Sequence, residues 1–201
     1  MQSDHRNKEG RTALMWACRN GHLQVAQQLV ANGADPRAVS KKGVGCLHWA
    51  CWGGACQVAR WLLDDLQIEL EALSNAGCNS AIWAVSAGEI EICELLRARG
   101  ANFEHMNNWG HGVVSKVAYR GHTELLVWLV TEMDDLWRQL FLFNHIEQLP
   151  IDLAAEAGHL DTVQLIEQQM AAHPDHPKSA ALDGPAMLIH EHKKRSIQND
   201  L

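Results

Sequence analysis

Glycine recurs in this chain at a fixed step, and that step constrains the fold more than any other feature. Gly10, Gly43, Gly77 and Gly110 are separated by 33, 34 and 33 residues. A second series, Gly21, Gly54, Gly88 and Gly121, keeps the same steps, and Gly158 follows after 37. Ala17, Ala50, Ala84 and Ala154 each stand four residues before a second-series glycine, with Val117 in that place in the fourth unit. Trp16, Trp49 and Trp83 share one slot as well. A period of this length marks an architecture of stacked units, none of which can bury its apolar face alone.

Each unit reads as a hairpin loop followed by two short helices. Thr12 caps the first helix from its hydroxyl, and Leu14, Trp16, Ala17 and Cys18 supply an apolar face. Gly21 stands where that helix must stop and reverse, a position that takes positive φ only without a Cβ. Val25, Ala26, Leu29 and Val30 form the stripe of a second amphipathic helix. Asn32-Gly33-Ala34-Asp35 then provides the C-cap and the turn onward. Helices this short are stable only when packed on neighbours.

These residues resemble the ankyrin repeat family, whose pattern is glycine, threonine-proline-leucine-histidine, an alanine pair, glycine-histidine and glycine-alanine-aspartate. The first unit supplies Gly10, Thr12, Leu14, Ala17, Gly21, His22, Gly33, Ala34 and Asp35, and the second Gly43, Leu47, His48, Ala50 and Gly54. The third keeps Gly77, Ala84, Gly88 and Gly100-Ala101-Asn102. The fourth is weakest: Gly110, Gly121 and His122 match, Lys116 and Val117 depart, and about four extra residues fall near 133–143. The fifth, Leu149 to Ala155 then Gly158-His159, alone retains the proline, Pro150, at the first helical position. The expected fold is all-α, an ankyrin-like α-solenoid of five helix-turn-helix repeats joined by hairpin loops. The repeats fall at about 7–39, 40–73, 74–106, 107–143 and 144–172, and the repeat domain at 7–172. A tail, 173–201, follows; a short helix over 185–198 either docks as a cap or stays disordered. The first unit looks internal rather than polar, which leaves room for a further repeat upstream.

Composition narrows the function. The formal charge of −7 speaks against a general nucleic-acid binder. No apolar run approaches the roughly 18 residues that span a bilayer, and the polar N-terminal segment lacks a signal-peptide core. Charge is uneven: residues 1–60 hold 8 Lys+Arg against 3 Asp+Glu, and residues 61–170 hold 5 against 17. Such a division either orients a partner of opposite pattern or simply solubilises the outer helices.

Trp16, Trp49 and Trp83 are expected as a buried ladder between repeats. Trp52 and Tyr119 lie two residues before Gly54 and Gly121, where the resemblance implies a first helix facing the concave groove. Trp109 precedes Gly110 on a hairpin finger. With Lys8, Arg11, Arg19, Lys41, Lys42, His111 and Arg120 at similar phases, these form the candidate partner-binding set, because aromatic residues and arginine are enriched in binding hot spots. Glu9 and Val44 neighbour them. The opposing expectation is that each aromatic folds back onto an adjacent finger or helix.

Cys18 and Cys51 share a small-residue slot and suit helix packing, while Cys46, Cys51 and Cys56 step by five, unlike paired zinc thiolates. Cys78 and Cys93 have no partner nearby in sequence. His22, His122 and His159 follow turn glycines; the resemblance implies that the His48 ring bonds finger backbone. Asp64-Asp65 and Asp134-Asp135 are expected as solvated caps. Catalytic, metal and cofactor sites are therefore expected to be absent. The expected function is non-catalytic protein recognition by a monomer inside the cell, cytoplasmic or nuclear, with no nucleic acid or membrane partner. The alternative is an architectural segment of a larger or self-assembling array.

Overall fold

The computed structural model of the chain describes residues 5–133 and 135–173. These are helical, with no strand among the described residues and a single-residue antiparallel bridge between Val39 and Gly45. The chain divides into two compact units, Met1–Asn108 and Trp109–Leu201. The tail from 174 onward, with the helix expected over 185–198, lies outside the described residues, as does Asp134.

The first unit holds three helix pairs: α1 (Ala13–Arg19) with α2 (Leu23–Ala31), α3 (Cys46–Trp52) with α4 (Cys56–Asp64), and α5 (Ser80–Ala84) with α6 (Ile90–Ala98). Their starts show three ways of satisfying orphan helical amides. At α1 the Thr12 hydroxyl accepts from the Met15 amide at 3.3 Å. Gly45 offers α3 no side chain, so His48, three residues in, takes the Gly45 amide on Nδ1 at 3.1 Å. At α5 the fully buried Asn79 accepts from the Ile82 amide at 3.1 Å and donates to Glu71 Oε2 and to the Asn102 carbonyl at 3.1 and 2.8 Å. A buried amide is tolerable here because its donors and acceptor are matched.

Along one layer α1 packs on α3 and α3 on α5; along the other α2 packs on α4 and α4 on α6. Ala17, Ala50 and Ala84 are buried at the contacts, with Leu14, Leu47 and Ile82 beside them. The approach of α1 to α3 depends on Gly53, whose hypothetical Cβ would overlap the Arg19 carbonyl. The hairpin loops join main chain to main chain, the Lys41 amide donating to the Glu9 carbonyl at 3.0 Å, Asn75 to Lys42 at 2.9 Å and Asn108 to Ala76 at 3.1 Å. The Asn75 and Asn108 side chains add bonds to the Lys41 and Asn75 carbonyls at 3.0 and 3.1 Å.

Two expectations need correcting in this unit. Of the α2 stripe Val25, Ala26, Leu29 and Val30, only Ala26 is buried, Leu29 and Val30 are half-buried and Val25 is 49% exposed, because no described element covers Val25. Asp64 is no free cap: Arg99 at the end of α6 grips it with two hydrogen bonds, 3.0 and 2.7 Å.

The second unit holds α7 (Val113–Arg120) with α8 (Thr123–Glu132) and α9 (Pro150–Glu156) with α10 (Leu160–Ala171). Here α7 packs on α9 and α8 on α10. Val117 is fully buried where alanine stands in other repeats. Pro150 opens α9 as expected, and Asp152 accepts the Leu149 amide at 2.8 Å. The extra residues near 133–143 form a 3-10 helix, Leu136–Phe141, that buries Leu136, Leu140 and Phe141. Gly112 caps α7 without a side chain, and the buried Gln139 of this insertion accepts the Val114 amide at 3.3 Å. The insertion therefore belongs to the core of its unit.

Candidate protein-binding surface

In the first unit the expected division between a buried tryptophan ladder and a separate, partner-facing Trp52 does not hold. Trp16 and Trp49 rings lie 5.8 Å apart, Trp49 and Trp52 5.4 Å, and Trp52 and Trp83 5.7 Å. Trp52 thus links the ladder, half-buried, while Trp16 at its end stays partly exposed. The reason lies in helix geometry: positions three apart share a face, so Trp52 must meet Trp49. Two predicted site residues join them. Arg19 stands 4.3 Å over the Trp52 ring and Arg11 4.9 Å over Trp49, within the range of cation–π attraction.

Lys8, Lys41 and Lys42 are exposed on the first two hairpin fingers. The opened hairpins keep their shape through glycine at positive φ. Gly43 shows the constraint best, with φ of 71° and a hypothetical Cβ 2.8 Å from the Asn75 amide nitrogen. A cavity of about 380 Å³ opens beside His48, bounded by Val39, Ile68 and Leu73. The His48 imidazole is already committed there, with Nε2 donating to the Ala72 carbonyl at 2.9 Å. Burial holds its pKa below the usual histidine value, which fixes the neutral ring that this pair of bonds requires.

In the second unit Trp109 is 54% exposed and Tyr119 51% exposed, with Arg120 exposed next to it. The His145 amide donates to the Trp109 carbonyl at 3.0 Å, locking adjacent fingers. His111 is half-buried, and its Nε2 accepts from Asn144 Nδ2 at 2.9 Å. The Asn144 amide cannot turn over, because its Oδ1 already accepts the Ile146 and Gln148 amides at 3.0 and 2.9 Å. Burial, then Lys116 and His145, lower the His111 pKa.

Ile146 was missed by sequence reasoning and is 73% exposed. It follows Trp109 by 37 residues, the same step that separates Gly121 from Gly158, so it fills the Trp109 slot on the next finger. Its repeat hid it: the finger glycine is replaced by Glu147, which adopts φ of 60° nonetheless.

The cysteines cluster more than their spacing suggests. Cys18 and Cys46 share a hydrogen bond that, with burial, raises the Cys18 thiol pKa strongly. Cys93 lies near Cys51 and Cys56, and burial first raises its pKa to about 12. Among the described residues no group of three or more His, Cys, Asp or Glu side chains could hold a metal ion. Nor is any described helix long and apolar enough to cross a membrane.

Short antiparallel helix pairs, repeated and joined by backbone-linked hairpins, define a helical repeat protein. A family model for ankyrin repeats (3 copies) matches residues 1–74. An ankyrin repeat and KH domain-containing protein of Caenorhabditis briggsae is 30% identical over 198 residues, covering 96% of this chain. With these matches and this fold, the chain belongs to the ankyrin repeat family. It spans about 7% of the length of the relative it matches. Ankyrin repeats are generally non-catalytic protein-interaction modules.

Proposed function

We propose that this chain is a non-catalytic recognition module, an adaptor or scaffold, that binds a protein partner through its first helices and hairpin fingers. The observation carrying this is the pairing of exposed apolar side chains with a fixed backbone: Trp109 and Ile146 stand on adjacent fingers that hydrogen-bond to each other. Large exposed apolar groups cost solubility, and a rigid frame lowers the entropy lost on binding. Tyr119 and Arg120 stand exposed in the same unit as Trp109 and Ile146, and Lys8, Lys41 and Lys42 on the fingers of the first unit, within repeats bounded at about 7–39, 40–73, 74–106, 107–143 and 144–172. Six free cysteines support a reducing, intracellular setting, cytoplasmic or nuclear.

The test is affinity capture from a native lysate, comparing the chain with a Trp109→Ala/Tyr119→Ala/Ile146→Ala variant of unchanged circular dichroism. A protein held by the first and lost by the second supports the reading; equal capture overturns it. Trp52→Ala is unsuitable for this purpose, since that ring packs between Trp49 and Trp83.

A second reading, an architectural segment that stacks on further repeats, is favoured by the open apolar side of α2. Concentration-dependent association abolished by Val25→Glu would establish it; a sedimentation profile independent of concentration would dismiss it.

A further inference from the structure

Arg11 and Arg19 are half-buried cations held by rings instead of carboxylates. Arg19 lies 4.3, 5.5 and 5.8 Å from the Trp52, Trp16 and Trp49 ring centres, and Arg11 4.9 and 5.6 Å from Trp49 and Trp16. Among the described residues no ion pair reaches either guanidinium. A guanidinium held against ring faces needs no carboxylate for its charge, and its N–H groups remain able to donate to a ligand. In the same tryptophan cluster, the Trp49 and Trp83 indole N–H groups are buried without an acceptor among the described residues, and Trp49 is 3% exposed. The two arginines thus offer donors and positive charge, with no carboxylate paired to them among the described residues. Lys8, Lys41 and Lys42 stand exposed in the same unit, whose first 60 residues carry 8 cations against 3 anions.

We propose that Arg11 and Arg19, fixed on the tryptophan cluster, bind an acidic peptide segment of the partner. Carboxylates of that segment take the guanidinium edges in bidentate fashion, and its apolar residues cover the exposed part of Trp16. The proposal rests on the protein-recognition reading above and names the chemistry of the partner. A peptide is favoured over nucleic acid on two counts. Arginines already occupy the ring faces on which bases would stack, and the chain as a whole carries −7.

The experiment is fluorescence anisotropy of the full chain with a fluorescein-labelled peptide in which pairs of glutamates alternate with leucines. A peptide with glutamine in place of each glutamate is the reference. The glutamate peptide is expected to bind, more weakly as salt rises, and the glutamine peptide not to bind. Arg19→Gln should weaken binding roughly tenfold or more, the worth of a charged hydrogen bond. Arg19→Lys should weaken it too, because a lysine keeps the charge and loses the planar fork. If Arg19→Gln unfolds by circular dichroism, Arg11→Gln supplies the same comparison. Equal binding of both peptides, or undiminished affinity in the arginine variants, overturns the proposal. So does tighter Arg19-dependent binding of single-stranded DNA, or Arg19-dependent self-association without peptide binding. The capture experiment with the Trp109, Tyr119 and Ile146 variant leaves both arginines intact. If it succeeds while the glutamate peptide fails, the acidic chemistry alone falls; if both fail, the recognition reading falls with it.

Discussion

At the scale of single residues, Gly53 and His48 show how one side chain, or its absence, fixes a contact between repeats. Gly53 has an ordinary negative φ of −86°, so space alone demands glycine there. Gly53→Ala must push α1 from α3 against the Arg19 backbone, and should cost about 2 kcal/mol or more in urea unfolding. His48 and His111 both hold their proton less readily folded than unfolded. Below the ordinary value of about 6.5 the unfolded chain therefore binds more protons, and stability falls as pH falls. The urea midpoint should be lower at about pH 5.5 than at about pH 7.5, and His48→Gln should reduce the difference. A midpoint that rises on acidification would contradict the neutral ring assigned to each. Ile146 illustrates what stayed hidden in the sequence. Its slot is marked by a glycine in four fingers, and in the fifth Glu147 takes the same left-handed turn, so the glycine signal vanished while the geometry persisted.

At the scale of elements, the helix pairs were legible because each is bounded by a turn glycine and filled by small residues at a constant phase. The 3-10 helix Leu136–Phe141 was not, since extra residues carry no repeat phase to read, and its role emerges only from burial of Phe141 and the bond from Val114 to Gln139. The site was half legible. Repeat phase marks Arg11, Arg19 and Trp52, yet phase cannot say whether a ring meets solvent or another ring three residues away. Burial also separates elements of the same type: α4 buries Val58, Ala59, Trp61, Leu62 and Leu63, whereas α2 buries only Ala26. Amides of α2 should therefore exchange with deuterium well before those of α4, because local opening is easiest where few apolar contacts are lost. Equal protection would mean that something covers α2 in solution.

At the scale of the whole molecule, chemistry is unevenly shared. All six cysteines lie in Met1–Asn108; Cys56 is half-buried, Cys78 retains 9% exposure and the other four are 0–1% exposed. The Cys56 thiol pKa is pushed up to about 11, by burial and then by the Glu91 carboxylate, so it is largely protonated at neutral pH. Thiol reagents should modify one cysteine of the native chain, slowly at pH 7 and faster as pH rises, and Cys56→Ser should abolish this; the remaining five should react only on unfolding. The apolar tips Trp109 and Ile146 lie in Trp109–Leu201, and the cationic tips Lys8, Lys41 and Lys42 in Met1–Asn108. Both sets ride on hairpins joined main chain to main chain, from Glu9 to Lys41, Lys42 to Asn75, Ala76 to Asn108 and Trp109 to His145. Asn75 and Asn108 add side-chain bonds of their own, but the main-chain bonds themselves are indifferent to which side chain a tip carries. Within each unit, selection can rewrite what a finger recognises one letter at a time, and the main-chain bonds between its fingers need not be renegotiated.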